Sequence, residues 1–425
     1  MRTTLPVALL LSLGVASCSG CRDGASPDAL ASPDRSVPDA GLPADAGGWP
    51  DLARDAHSSW DVTCGGSRTL TPQPVQRGKG DPCGTACRQV TFGDDVADGY
   101  DAKGDLLAYT GADTNDEKVY LVNLKTNEEW LIQQRSPGTP GCFAVATDGK
   151  RLAYSCHIWT RTSSGDFSDE YTAPLQLFDP ATNVEQDLHC FGYHSSKGSW
   201  PHYLGFGTAG IVATMALPPS YQGQLDAFFH RFSDGQMVNL TQKYGGVWYT
   251  RASGSRLVWT EVVGSTTQIV LYDTATGTKK VLDPTGKPQF LPRIEGDKVV
   301  WVDHRNAPGD MWNQGNSDIY LQDLVTGKTV AVTTNPARQS FPDVWGDWVV
   351  WEDWRNNPNP TPRSSSELKN ADIFARNMKT GQEVQLSSLK GMEIRPIIDQ
   401  HRVFFQAAPV YQIALFEVDL IQLGY

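Results

Sequence analysis

The stretch Gly296–Asn306, GDKVVWVDHRN, returns 50 residues later as GDWVVWEDWRN at Gly346–Asn356. Each copy is followed, after connections of unequal length, by a second shared run: NSDIYLQDLVTGKTVAVTT from Asn316 and NADIFARNMKTGQEVQLSS from Asn370. Everything in the unit reads as strand or turn. KVVWV and WVVWE are apolar at consecutive positions, which suits a strand covered on both faces. DIYLQDL alternates, and a Thr-Gly pair supplies the turn before the outer run. A repeating all-β unit of this length is a propeller blade, because stacking blade on blade buries both faces of every sheet.

The doubly apolar second strand extends the count. It recurs as LLAYT from Leu106, RLAYS from Arg151, GIVAT from Gly210, RLVWT from Arg256, KVVWV from Lys298, WVVWE from Trp348 and RVFFQ from Arg402, seven copies in all. Third strands follow each, from KVYLVNL to QIALFEV. Little chain remains after Leu420 for a seventh outer strand, but RQVTF at Arg88–Phe92 has that character and precedes the first unit. The expected fold is therefore all-β: a seven-bladed propeller over 88–425, closed by an N-terminal strand that removes an exposed sheet edge.

At these repeats a family resemblance can be stated. PDVWGD (Pro342–Asp347), VVWEDWRN and ADIF resemble the TolB-like, WD-repeat-like propeller unit of bacterial envelope proteins, over most of Arg88–Leu420. The resemblance implies the fold and an envelope setting. TolB proper carries an additional N-terminal α/β domain, whose place is taken here by other sequence, so partnership with the Tol–Pal machinery is not implied.

Residues 1–17 read as an export signal: Arg2, then an apolar stretch from Leu5 to Ala16 followed by small residues. VASC at 15–18 resembles the lipobox of bacterial lipoproteins, which implies cleavage before Cys18 and lipid on its thiol. Ser19, where an inner-membrane protein of that class would carry Asp, implies the outer membrane, with the body facing the periplasm or the cell surface. Residues 18–62 are a Pro/Asp/Ala-rich tether too poor in apolar residues to fold, and 63–87 form a Cys-bearing segment. With a net charge of −12 and no Lys/Arg run, nucleic acid and anionic membrane surfaces are excluded as partners. Membrane contact is expected only through the N-terminal lipid.

Of eight Cys, Cys18 is assigned to lipid and Cys21 lies beside it. The other six read as disulfides in an exported chain. Cys142 and Cys156 are equidistant from Gly149 in the hairpin CFAVATDGKRLAYSC, which opposes them within bonding reach. Sequence gives no pairing for Cys64, Cys83, Cys87 or Cys190.

The motif D-x-R-N occurs at Asp303–Asn306 and Asp353–Asn356, and Asp318 and Asp372 open the following strands. Because it recurs with the repeat, Asp303, Arg305, Asp318, Asp353, Arg355 and Asp372 are expected to be scaffold. His304 and Trp354 fill the variable position. The long second-to-third-strand connections at 159–172, 217–224, 307–317 and 357–371 all emerge on one face, together with the inter-blade links, so that face is the expected ligand-binding surface. Its candidates are Trp159, Trp200, His202, Tyr249, Arg293, His304, Trp312, Phe341, Trp354 and Arg395. Aromatics mixed with Arg and His suit a glycan or a protein loop, while packing between blades is the alternative for each aromatic.

No nucleophile elbow, H-E-x-x-H or phosphate loop is present. Cys156-His157, His189-Cys190, His194 and His202 match no compact zinc spacing, and DTNDE at 113–117 lacks the Gly and terminal Glu of a calcium loop. No cofactor, metal or catalytic residue is therefore assigned. The expectation is a non-catalytic envelope lipoprotein that binds or assembles a protein or glycan. The alternative is a propeller lyase or hydrolase acting on polysaccharide through ring residues such as Arg293, His304 and Arg395.

Overall fold

The computed structural model describes residues 66–425 apart from 81–82, 84–85, 113–116, 135–141, 157, 162–166, 195–202, 216–224, 242–245, 308–315, 362–368, 390 and 408–412. The described chain is all strand and turn, arranged as seven sheets. The innermost strands are Asp95–Lys103, Cys142–Thr147, Leu204–Phe206, Val247–Ser253, Gln289–Glu295, Gln339–Trp345 and Glu393–Asp399, and each opens its blade. Each packs on the next, and Glu393–Asp399 returns to Asp95–Lys103, so the ring closes. The fold is a seven-bladed β-propeller.

The core is divided. Seven hydrophobic clusters occur among the described residues, each joining two adjacent blades. The second strand of each blade supplies the bulk: Tyr109, Tyr154, Trp259, Trp301, Trp351 and Phe405 occupy one equivalent position and are fully buried. This is why those strands are apolar on both faces.

The chain enters along the rim as a belt. β1 (Ser67–Thr69) adds to the outer strand of blade 2, β2 (Gln73–Pro74) to that of blade 1, and β3 (Cys87–Gln89) completes blade 7 against Ala414–Asp419. The third of these is the expected closing strand. The first two fall in the segment 63–87, where the sequence showed only cysteines. The belt brings three arginines to glutamates of the blades it borders, Arg68 on β1, Arg77 just after β2 and Arg88 on β3. Arg68 donates to Glu185 at 3.0 Å and to Asp187 at 3.3 Å. Arg77 lies 3.8 Å from Glu129, and Arg88 donates to Glu417 at 2.7 Å.

Cys142 and Cys156 are bonded, and so are Cys83 and Cys87. Blade 2 departs from expectation at 159–172, where a long second-to-third-strand connection is expected. Its third strand instead runs unbroken through Phe167–Asp179, pairing with Ile158–Arg161 on one side and Val184–His194 on the other, as a β-ribbon.

Candidate functional site

The inner strands share a local irregularity. In five of the seven blades, a non-glycine residue sits at positive φ beside a β-bulge: Ala144, Tyr249, Leu291, Phe341 and Arg395. In blades 5 to 7 a proline follows it, Pro292, Pro342 and Pro396. Proline cannot donate to a ladder, and the bulge is where a sheet tolerates that loss. The extra residue re-aims the side chains around it, and charged groups of non-adjacent blades meet as a result.

Asp101, Arg251, Arg293 and Asp343 occupy one ladder position in blades 1, 4, 5 and 6. All four are half-buried, and they interact electrostatically across the ring: Asp101 with both arginines, and Asp343 with Arg293 and Asp101. Blades 1 and 5 are not neighbours, so these groups can meet only at the axis. Burial raises the carboxyl pKa of Asp101 and of Asp343, although backbone amides partly offset this. Thr147 N donates to Asp101 at 2.8 Å, and Ile398 N and Val344 N each donate to Asp343 at 2.9 Å. Both aspartates thus also stitch their blade to the next. Burial, followed by the neighbouring Arg293, lowers Arg251. Arg251 donates through Nη1 to the carbonyls of Thr250 at 2.8 Å and Leu204 at 3.5 Å.

Two residues nearer the start of the strands, Tyr249 packs on Tyr203 at 4.6 Å between ring centres. Arg395 lies 5.6 Å over Phe341. The Tyr249 hydroxyl is pushed well above its ordinary range by burial and then by Tyr203, while Arg395 and Arg251 act against this. Tyr249 on blade 4 therefore senses Arg395 on blade 7, again across the axis.

The other end of the axis is bridged. Lys103 reaches from blade 1 to Glu295 on blade 5 at 3.2 Å, lies 3.8 Å from Asp399, and stands 4.2 Å over the Trp345 ring. Ser253 donates to Glu295 at 3.3 Å. Five blades contribute to this floor, which sits where the inner strands finish. The long connections and inter-blade links emerge at the opposite end.

Among the sequence candidates, Tyr249, Arg293, Phe341 and Arg395 are gathered at the axis. His304 and Trp354 are not on a free surface. His304 is 4% exposed, edge-on to Phe290 at 5.6 Å. Trp354 is 2% exposed and donates to Glu352 at 2.9 Å. Their position follows a fully buried strand end, so the variable residue of the motif is packed inward. Trp159 lies on the blade 2 ribbon, where only the backbone is described, and Trp200, His202 and Trp312 fall outside the described residues. Asp101, Arg251 and Asp343 were not singled out. Their signal was one ladder position compared across all blades, visible only once the bulges are placed.

The D-x-R-N acidic groups are consumed inside their own blades. Asp303 accepts from Gln289 at 2.9 Å, Trp301 at 2.9 Å and the Arg305 amide at 2.8 Å. Burial alone would raise its carboxyl, but these hydrogen bonds and the Arg305 side chain hold it below its ordinary value. Asp353 accepts from Trp351 at 2.8 Å and from the Arg355 side chain at 2.6 Å. Asn306 and Asn356 donate to Asp318 and Asp372, both at 2.8 Å. Among the described residues, no group of three His, Cys, Asp or Glu side chains could hold a metal ion.

No known protein family matches the chain, and no curated protein matches it. Solved structures do. The oligogalacturonate lyase of Vibrio parahaemolyticus is similar at 13% identity and a TM-score of 0.54, over 83% of this chain and 97% of its own. An oligogalacturonate lyase in complex with manganese gives 14% identity and 0.53, with the same coverage. TolB from Acinetobacter baumannii gives 13% identity and a TM-score of 0.38, over 73% of this chain and 78% of its own. The likeness to the two lyase structures shows a shared propeller fold and, at such identities, leaves chemistry to the site.

Proposed function

We propose that this chain is a lipid-anchored binding or assembly module of the cell envelope, taking a protein or glycan ligand at the axial site. The observation that carries the reading is the convergence of Asp101, Arg251, Arg293, Asp343, Tyr249 and Arg395 from five blades, with interactions between non-adjacent ones, blades 1 and 5 and blades 4 and 7. Charged and aromatic groups gathered on a rigid ring, above a bridged floor, form a concave and polar recognition site. The lipid on Cys18 and the 18–62 tether would hold that ring away from the outer membrane.

Two experiments test this. Cys18→Ala should move the protein out of the membrane fraction, and continued retention would refute the anchor. Incubating the purified protein with neutral and acidic envelope glycans and with envelope protein extracts should give saturable binding without product. Turnover of a polysaccharide would instead support a lyase or hydrolase.

A further inference from the structure

The axial site has an uneven supply of partners. Asp101 and Asp343 are engaged by backbone amides of the following blades. Arg251 is engaged by the carbonyls of Thr250 and Leu204. Arg293 is different: among the described residues its side chain makes no hydrogen bond and no ion pair, although it is half-buried on an innermost strand. It interacts electrostatically with Tyr100, Asp101, Arg251 and Asp343.

The local charge is positive within a protein whose net charge is −12. Four arginines, Arg251, Arg293, Arg338 and Arg395, face three carboxylates, Asp101, Asp343 and Glu352. Burial raises the carboxyls of both aspartates, against the pull of their amide and arginine partners. A guanidinium with unused donors in such surroundings suits a planar carboxylate, which it can hold through two parallel hydrogen bonds.

Geometry limits how the carboxylate arrives. Lys103, Glu295 and Asp399 bridge the floor, so nothing threads through the axis. Arg293 lies two residues beyond Leu291 along the strand, a depth of roughly 7 Å at the usual rise. A ligand must therefore enter end-on, with its charge at its tip. Around the entrance stand Tyr203, Tyr249 and Phe341, which offer apolar ring surface. The unengaged donors at the bottom are guanidinium N–H groups, the Arg293 fork and the remaining nitrogens of Arg251, which fit a single terminal anion better than a ring of hydroxyls.

We propose that the axial site captures the C-terminal carboxylate of a polypeptide, with Arg293 as its anchor and the Tyr249 and Phe341 rings as a collar for the last side chains. This rests on the binding-module reading above and names its ligand.

The test uses the full-length protein and two fluorescent pools of random hexapeptides, one ending in a free carboxylate and the other in a carboxamide. A second pair, glucuronate and glucuronamide, asks whether an acidic sugar satisfies the site instead. The carboxylate pool should bind at least 10-fold more tightly than the amide pool. Arg293→Gln should remove that preference, and Arg293→Lys should keep part of it. Equal binding of the two peptide pools by the wild-type protein overturns the proposal even if Arg293→Gln folds poorly. Discrimination between the sugars without discrimination between the peptides also overturns it, while leaving a glycan-binding function intact. Failure of every probe and of the envelope extracts would remove the binding reading as well.

Discussion

Lys103 and Glu295 belong to blades 1 and 5, yet their side chains meet at 3.2 Å, spanning the axis on the turn face. Both keep about a third of their surface, so the pair itself stabilises the fold by under ~1 kcal/mol. Its consequence is local closure. Lys103→Met should lower the urea midpoint only modestly, since the buried Asp399 keeps the Gly104 amide at 2.8 Å, while uncovering Trp345, over whose ring the ammonium stands. Acrylamide quenching compared in the presence and absence of Trp345→Phe would read this. Unaltered Trp345 quenching in the Lys103→Met protein would show that the floor does not depend on the bridge.

The junction between blades 6 and 7 should make stability fall as pH rises. Three junctions can be compared at the start of an inner strand: Gln289 and Gln339 stand there in blades 5 and 6, and Glu393 in blade 7. Thr333 donates to Gln339 at 3.0 Å, and Ser387 donates to Glu393 at 2.6 Å. An acid has replaced an amide in buried surroundings beside Asp372. Burial, with Asp372 adding to it, raises the Glu393 carboxyl from 4.5 to about 8. Below the lower value the group is protonated in folded and unfolded chains alike. Between the two values only the folded chain keeps the proton, so stability declines across that window and levels off above it. Glu393→Gln should match the wild type near the lower value and exceed it by about 1–3 kcal/mol near the upper one. Urea midpoints measured across the window decide it, and parallel curves for the two proteins would dismiss the raised Glu393 carboxyl.

The Cys142–Cys156 bond takes the place that a Gln289–Asp303 hydrogen bond holds in blade 5. It closes a hairpin with a sequence separation of 14. Replacing both cysteines by serine should therefore cost about 2–3 kcal/mol on the loop-entropy argument. A loss below ~1 kcal/mol would mean that the hairpin is already restrained in the unfolded chain.

Blade number and closure were legible because they depend on burial, and burial writes itself into consecutive apolar residues such as Val299 to Val302 and Val349 to Trp351. The site was only partly legible. Arg293, Tyr249, Phe341 and Arg395 could be placed at the strand starts, but whether they faced the axis depended on bulges at positive φ. Leu291-Pro292, Phe341-Pro342 and Arg395-Pro396 were the available sign of those bulges, since a proline inside a strand has to be accommodated somewhere. His304 and Trp354 misled because variation within a repeat reflects packing against unequal neighbours as readily as it reflects ligand choice. The belt was illegible for a different reason. Strands as short as Ser67–Thr69 and Gln73–Pro74 have no period to detect, and only their partners define them.

The belt arginines should differ in weight, and Arg68 should be the heaviest. It bridges Glu185 and Asp187, whose side chains are almost wholly buried and share the Gln176 amide at 3.1 Å and 3.2 Å. Arg68→Met would leave two buried carboxylates side by side with no cation between them, although Glu185 keeps the Tyr154 hydroxyl at 2.6 Å and the pair keeps the Gln176 amide. Removing one partner from a buried charge cluster costs more than the pair ever contributed, because the remaining charge stays desolvated. Arg77 is farther from its glutamate, and Glu129 keeps the amides of Phe92 at 2.9 Å and Gly93 at 3.0 Å without it. Arg68→Met should therefore destabilise by about 2–3 kcal/mol and Arg77→Met by about 1 kcal/mol or less. Adding Glu185→Gln and Asp187→Asn to Arg68→Met should recover most of its loss, since the stranded charges are then gone. Urea unfolding of the single and combined variants measures this. Equal losses for the two arginines, or no recovery, would mean that β1 and β2 are held by their backbone pairing alone.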